Sequence, residues 1–125
     1  MDTINQVKEF HKLYEVPIRD TPGMPSMQRA LLRVKLLNEE LEELADAIAT
    51  HDVVEILDAL TDLQYILDGS YLEFGMQDLK QKAFDEVHKS NLSKLGDDGK
   101  PVKREDGKVI KGPNYRPPNL AQFLS

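Results

Sequence analysis

Between Lys35 and Lys80 lie 44 consecutive residues without a Lys or Arg. Twelve of them are acidic: Glu39, Glu40, Glu42, Glu43, Asp46, Asp52, Glu55, Asp58, Asp62, Asp68, Glu73 and Asp78. Surface helices ordinarily interleave the two signs, because opposite pairs at i,i+4 stabilise, and like pairs destabilise, by about 0.2–0.5 kcal/mol each. A chain that forgoes that help over its central third must either solvate the acids or gather them round a cation. The apolar residues of the same stretch show that it is helical. Val34, Leu37, Leu41, Leu44 and Ile48 step by 3, 4, 3 and 4, a core-facing stripe on a helix that begins after Ser26, a fair N-cap, and runs to about Thr50. After a break at His51-Asp52, with Asp52 as cap, Val53, Ile56, Leu60, Leu63 and Leu67 repeat the spacing. Val54, Leu57, Ala59 and Ile66 make this third helix apolar almost all round. It is expected to be the most buried element, ended by Gly69 or Gly75.

The flanks complete the picture. Residues 2–16 read as a first helix, with Ile4, Val7, Phe10 and Tyr14 at helical spacing, and Pro17 to Pro25 as a loop. A fourth helix reads from about Met76 to Leu92, with Leu79, Ala83, Phe84, Val87 and Leu92 inward. Beyond it the chain is rich in Gly, Pro and Lys, and Val102 to Ile110 reads as a β-hairpin turned at Asp106-Gly107. From Lys80 to Arg116 the charge balance reverses, ten basic residues against six acids. The 125 residues suffice for one domain, 1–125: an all-α four-helix bundle with its helical core at about 2–93, and a basic loop and β-hairpin tail over 94–125. The absence of cysteine excludes a disulfide framework, a thiolate metal site and a cysteine nucleophile. No apolar run is long enough to span a membrane, and Met1 to Asn5 lacks the layout of a signal peptide, so a cytoplasmic protein is expected. A net charge of −6 argues against a nucleic-acid polymer as the partner.

The carboxylates carry the chemistry. Glu40 and Glu43, three apart, share one face of the second helix, with Glu39 adjacent. Glu55, Asp58 and Asp62 share one face of the third, continued by Tyr65. Acids seldom sit unpaired on an apolar helix, and no basic residue is nearby in sequence to pair them. If the two helices pack through their stripes, the two sets meet, and oxygen-only ligation suits Mg²⁺, or Mn²⁺, rather than zinc. Glu42, Asp46 and Glu73 read instead as a solvated face, and His11 and His51 as surface or packing residues. Asp85-x-x-His88 is a single acid-swapped copy of a di-iron motif that needs two.

Asn38-Glu39-Glu40-Leu41-Glu42-Glu43-Leu44, followed by Glu55-Ile-Leu-Asp58-Ala-Leu-Thr-Asp62-Leu-Gln-Tyr65, resembles the all-α nucleoside triphosphate pyrophosphohydrolase superfamily. That group holds the MazG-like proteins, the dimeric dUTPases and the phosphoribosyl-ATP pyrophosphohydrolases. Its hallmark is E-x-x-E on one helix and E-x-x-D on the next. Glu86-Val87-His88-Lys89-Ser90-Asn91-Leu92-Ser93-Lys94 and the tail from Gly107 to Pro118 resemble the phosphoribosyl-ATP pyrophosphohydrolase-like branch, and the likeness covers roughly residues 27–118. One departure stands out. With Asp62 as the final Asp, the Glu expected three residues earlier falls on Ala59, so Asp58 or Glu55 would supply that ligand.

The resemblance implies a MazG-like bundle that cleaves a nucleoside triphosphate between the α and β phosphates, giving a monophosphate and pyrophosphate. Glu40, Glu43, Asp58 and Asp62, with Glu55, would hold Mg²⁺ or Mn²⁺, and Glu39 would orient a water or take its proton. Asn91, Lys94, Lys111 and Arg116 would grip phosphate oxygens, and Tyr115 would stack on a base. A homodimer or homotetramer is expected, since so small a domain leaves much apolar helix surface uncovered. A non-catalytic helical interaction module would use the apolar stripes but gives the acids of the third helix no role. A di-iron carboxylate protein needs a second Asp/Glu-x-x-His.

Overall fold

The first helix, α1, spans Thr3–Leu13 and is capped by the Asp2 carboxylate, which accepts from the Ile4 amide at 3.1 Å. Ile4, Val7 and His11 are its buried residues, while Phe10 is 39% and Tyr14 68% exposed. The helix stops short of residue 16 because Glu15 turns left-handed at φ 57° and the Val16 amide bonds back to the His11 carbonyl. The description, a computed structural model, covers residues 2–124.

The loop that follows returns onto the far end of the third helix. The Arg19 amide bonds to the Leu72 carbonyl, that of Gly23 to the Phe74 carbonyl, and the Gln77 amide group to the Arg19 carbonyl. Ser26 caps α2, Met27–Ala49, by accepting from the Arg29 amide, and Asp52 caps α3, Val53–Glu73, by accepting from that of Glu55. Between them His51 turns left-handed at φ 54°, so α2 and α3 form a tight helical hairpin. Of the two glycines that could end α3, Gly75 does so, at φ 67° and against the Thr21 carbonyl, where a Cβ has no room. Ile4, Val7 and Leu72 form the core of this unit, with Ile18 and Tyr71 packed on it.

Two expectations about burial are corrected. Val34, Leu41 and Ile48 are each 54% exposed, and the buried residues of α2 are Ala30, Arg33 and Ala47. The helix is turned so that Arg33 reaches into the hairpin, where its Nε donates to Ser70 and its Nη2 to the Ile66 carbonyl. Nor is α3 buried throughout. Its second half holds Asp68, Gly69, Leu72 and Glu73 inside, but Val53, Val54 and Leu57 near its start are among the most exposed apolar residues of the chain.

The described residues fall into two compact units that part after Asp78. A 3-10 turn at Gln77–Leu79 precedes α4, Lys80–Leu92, the helix of the second unit, which begins later than Met76. Phe84 and Leu92, expected inward, are 68% and 58% exposed. The tail lies along a polar face of α4 instead: Ser90 Oγ donates to the Arg116 carbonyl, the Arg116 amide to Ser93 Oγ, and the Asn119 amide to the Glu86 carboxylate. Strands β1, Val102–Lys103, and β2, Val109–Ile110, pair antiparallel through the expected turn at Asp106-Gly107. Among the described residues regular structure is thus all-α, with four α-helices, apart from two 3-10 turns and this hairpin. Among the described residues no helix is long and apolar enough to cross a membrane.

Candidate active site

The α2–α3 hairpin brings carboxylates from both helices together. Glu40 and Glu43 on α2 and Asp62 on α3 each offer an oxygen, and these oxygens lie within 4.8 Å of one another. Asp58, one turn before Asp62, hydrogen-bonds to it and adds its charge to the group. Glu40 is the innermost member. It is half-buried, and its Oε2 is buried without a hydrogen-bond partner among the described residues. Burial, then the hydrogen bond to Glu43 and the charges of Glu43, Asp62 and Asp58, push its carboxyl from the usual 4.5 up to about 7. Asp62 is raised as well, first by burial and then by the Asp58 and Glu43 charges.

Arg29 and Arg33 of α2 do not relieve this repulsion, because another acid holds them. Glu73 has a fully buried side chain. It accepts from Arg29 Nε at 2.8 Å and Arg29 Nη2 at 3.1 Å, and pairs with Arg33 Nη1 at 3.0 Å. Glu73 therefore does not belong to a solvated face: a carboxylate that arrives beside two guanidinium groups can be buried. The signal was available in Arg29-x-x-x-Arg33, an i,i+4 basic pair on one helix face, although its partner is 40 residues from Arg33.

Of the other candidate residues on these helices, Glu39 is exposed beside Glu40, and Glu55 is exposed in the first turn of α3. Neither belongs to the group of three. Ala59, at the position where the family pattern expects a Glu, is 1% exposed. Asp58 and Asp62, flanking it on α3, supply the charge that acts on Glu40. The cluster is thus a nest of oxygens in which one buried oxygen has no donor, which fits a hard divalent cation by donor type and by charge.

The basic candidates belong to the second unit. Asn91 is exposed near the end of α4, and the Lys94 carbonyl accepts from the Gly112 amide. Lys111 places its ammonium 4.8 Å from the Tyr115 ring centre, and Arg116 is anchored through its backbone to Ser90 and Ser93. Asp85 and His88 are both exposed, and Asp85 accepts from Gln81 at 2.9 Å.

The profile of the phosphoribosyl-ATP pyrophosphohydrolase family matches residues 7–91, which takes in the whole carboxylate cluster and Asn91 but not Lys94, Lys111, Tyr115 or Arg116. Among solved structures, a protein from Exiguobacterium sp. 255-15, provisionally described as an NTP pyrophosphohydrolase, is similar at 23% identity. The match covers 99% of this chain and 92% of that one, with a TM-score of 0.36. No curated protein matches the chain.

Proposed function

Because the chain belongs to the phosphoribosyl-ATP pyrophosphohydrolase family, we propose that it is a divalent-cation-dependent nucleoside triphosphate pyrophosphohydrolase. It would add water across the α–β anhydride to give a monophosphate and pyrophosphate. The observation that carries the reading is the meeting of Glu40, Glu43 and Asp62 oxygens within 4.8 Å, with one Glu40 oxygen buried and undonated. Glu40, Glu43, Asp58 and Asp62 would hold Mg²⁺, or Mn²⁺, with Glu55 within the same helix row. The cation, when bound, supplies Lewis acidity toward the phosphate oxygens and toward water.

The chain's own residues do the rest. Exposed and next to Glu40, Glu39 is free to orient the attacking water or take its proton. The buried Glu73 holds Arg29 and Arg33, so these cations do not collapse onto the carboxylates and displace the metal. In the second unit Asn91, Lys94, Lys111 and Arg116 serve as phosphate contacts, with Tyr115 beside Lys111 as a further substrate contact. We take residues 1–125 as one functional domain.

A homodimer or homotetramer is part of this reading. Its support is the exposed apolar row Val34, Leu41, Ile48, Val53, Val54 and Leu57, each more than half accessible in the single chain. A cytoplasmic setting, where such triphosphates are made and consumed, suits the activity. The test is product identity. With Mg²⁺ and a panel of nucleoside triphosphates, phosphorus-31 NMR should show monophosphate and pyrophosphate, whereas diphosphate and orthophosphate would reject the reading.

A further inference from the structure

One helical turn along the same hairpin from the carboxylates lies a largely apolar slot. On α2, Arg29, Arg33, Leu36, Glu40 and Glu43 follow one another three or four residues apart and so share a face. On α3, Asp58, Asp62, Tyr65 and Gly69 do the same, with Ile66 next to Tyr65. Leu36 lies one turn before Glu40 and Tyr65 one turn after Asp62, an offset of about 5–6 Å along the axes. Here a pocket of about 320 Å³ opens, walled by Phe10, His11, Arg33, Leu36, Tyr65 and Ile66. That volume is at the small end of small-molecule sites.

The chemistry of the walls selects what fits. Phe10 meets Tyr65 edge to face at 5.7 Å, which presents flat aromatic surface. His11 is 3% exposed, and its Nδ1 donates to the Pro17 carbonyl at 3.1 Å. Burial lowers its basicity, which favours the neutral ring. The two guanidinium groups that line the pocket are walls rather than anion grips: Arg33 has Nε on Ser70, Nη2 on the Ile66 carbonyl and Nη1 on Glu73, and Arg29 has Nε and Nη2 on Glu73. Gly69 keeps this corner open, because a Cβ there would meet the Arg33 guanidinium and the His11 ring. A phosphate would find little here, whereas a flat uncharged ring finds aromatic and aliphatic surface.

We propose that this slot takes the nucleobase of the triphosphate, against Tyr65 and Phe10, so that one sugar spans the turn of helix to the phosphates at Glu40, Glu43 and Asp62. The inference rests on the pyrophosphohydrolase reading above and assigns the specificity-determining surface to α1 and the hairpin. It puts the base on Tyr65 rather than on Tyr115, the tyrosine that the family resemblance suggests for stacking.

The test uses the best-cleaved of the common nucleoside triphosphates, its monophosphate, and inorganic pyrophosphate, which has no base. Leu36→Trp would fill the slot and Tyr65→Leu would remove its flat face. Both should raise the KM for the triphosphate and the inhibition constant of the monophosphate roughly tenfold or more, the scale of a lost base-stacking contact. Inhibition by pyrophosphate should stay within about twofold. If the monophosphate constant does not move, or pyrophosphate weakens by the same factor, the slot does not hold the base. A selective loss in Tyr115→Leu alone overturns the proposal too. A second measurement needs no variant: in the full-length parent, nuclear Overhauser effects should link base protons of the bound monophosphate to the Phe10 or Tyr65 rings, and contacts to Tyr115 alone would refute it. A parent that releases pyrophosphate while either result fails ends the slot and spares the activity; a parent that cleaves no triphosphate ends both.

Discussion

Replacing Glu40 with Gln should make the metal-free protein more stable at alkaline pH and leave it nearly unchanged at acid pH. The carboxyl is pushed from 4.5 to about 7, chiefly by burial and then by its acidic neighbours. A carboxyl whose folded value lies above its unfolded one holds its proton more tightly in the fold, so ionising it works against folding. The sign follows directly: the penalty is absent below 4.5, grows as pH climbs toward about 7, and is complete above that. At about 1.4 kcal/mol per pH unit the gap amounts to ~3.5 kcal/mol at most. Because Glu40 is only half-buried, solvent screening cuts this to ~1–2 kcal/mol. Gln mimics the protonated acid, so Glu40→Gln should gain that amount at about pH 8.5 and very little at about pH 5. In melting temperature the gain is ~4–8 °C for a domain of this size. The assay is a pair of chelator-treated thermal or urea melts at the two pH values. A variant that is less stable at alkaline pH, or equally shifted at both, would show that Glu40 does not sit in a crowd of like charges.

Other consequences are quicker to state. Glu73→Gln should destabilise the fold by about 3–5 kcal/mol, because it leaves the buried Arg33 without its charge partner; a loss under about 1 kcal/mol in urea unfolding would contradict the ion cluster. Sedimentation at micromolar concentration should give a dimer or larger species, and Leu57→Glu, on the exposed apolar row, should shift it toward monomer without loss of helical circular dichroism. A parent that sediments as a monomer would remove the support for a shared interface.

The carboxylate cluster was legible because its logic is local. Glu40 and Glu43 are placed on one face by helical spacing alone, and so are Asp58 and Asp62. The short break at His51-Asp52 makes the two helices a hairpin, so the rows meet. The caps Ser26 and Asp52 were equally local and equally readable. What the spacing could not supply was the rotation of α2 against α3. The apolar stripe through Val34, Leu41 and Ile48 looks like a core face. Yet Arg33 occupies the hairpin interior, because its partners, Glu73, Ser70 and the Ile66 carbonyl, come from more than 30 residues away. A periodicity argument treats an arginine as a surface residue and has no view of such a partner. The same blindness made Glu73 look solvated. Phe84 and Leu92 failed for a related reason, since the tail is fastened to α4 by Glu86, Ser90 and Ser93 through hydrogen bonds that no hydrophobic pattern records.

The central claim is that Glu40, Glu43, Asp58 and Asp62 hold the divalent cation on which cleavage depends, and pyrophosphate release as a function of Mg²⁺, in the parent and in Glu43→Gln, tests it most directly. Glu43 contributes an oxygen to the group and leaves Glu40 and Asp62 in place when it is changed. The account predicts that the parent turns over only with added Mg²⁺ and gains thermal stability from it by mass action. It predicts that Glu43→Gln loses turnover at least ~100-fold, as removal of a directly acting charged ligand commonly does, and loses most of the Mg²⁺-induced stabilisation. An active Glu43→Gln protein with the parental Mg²⁺ response would contradict the metal-site account at its best-defined residue.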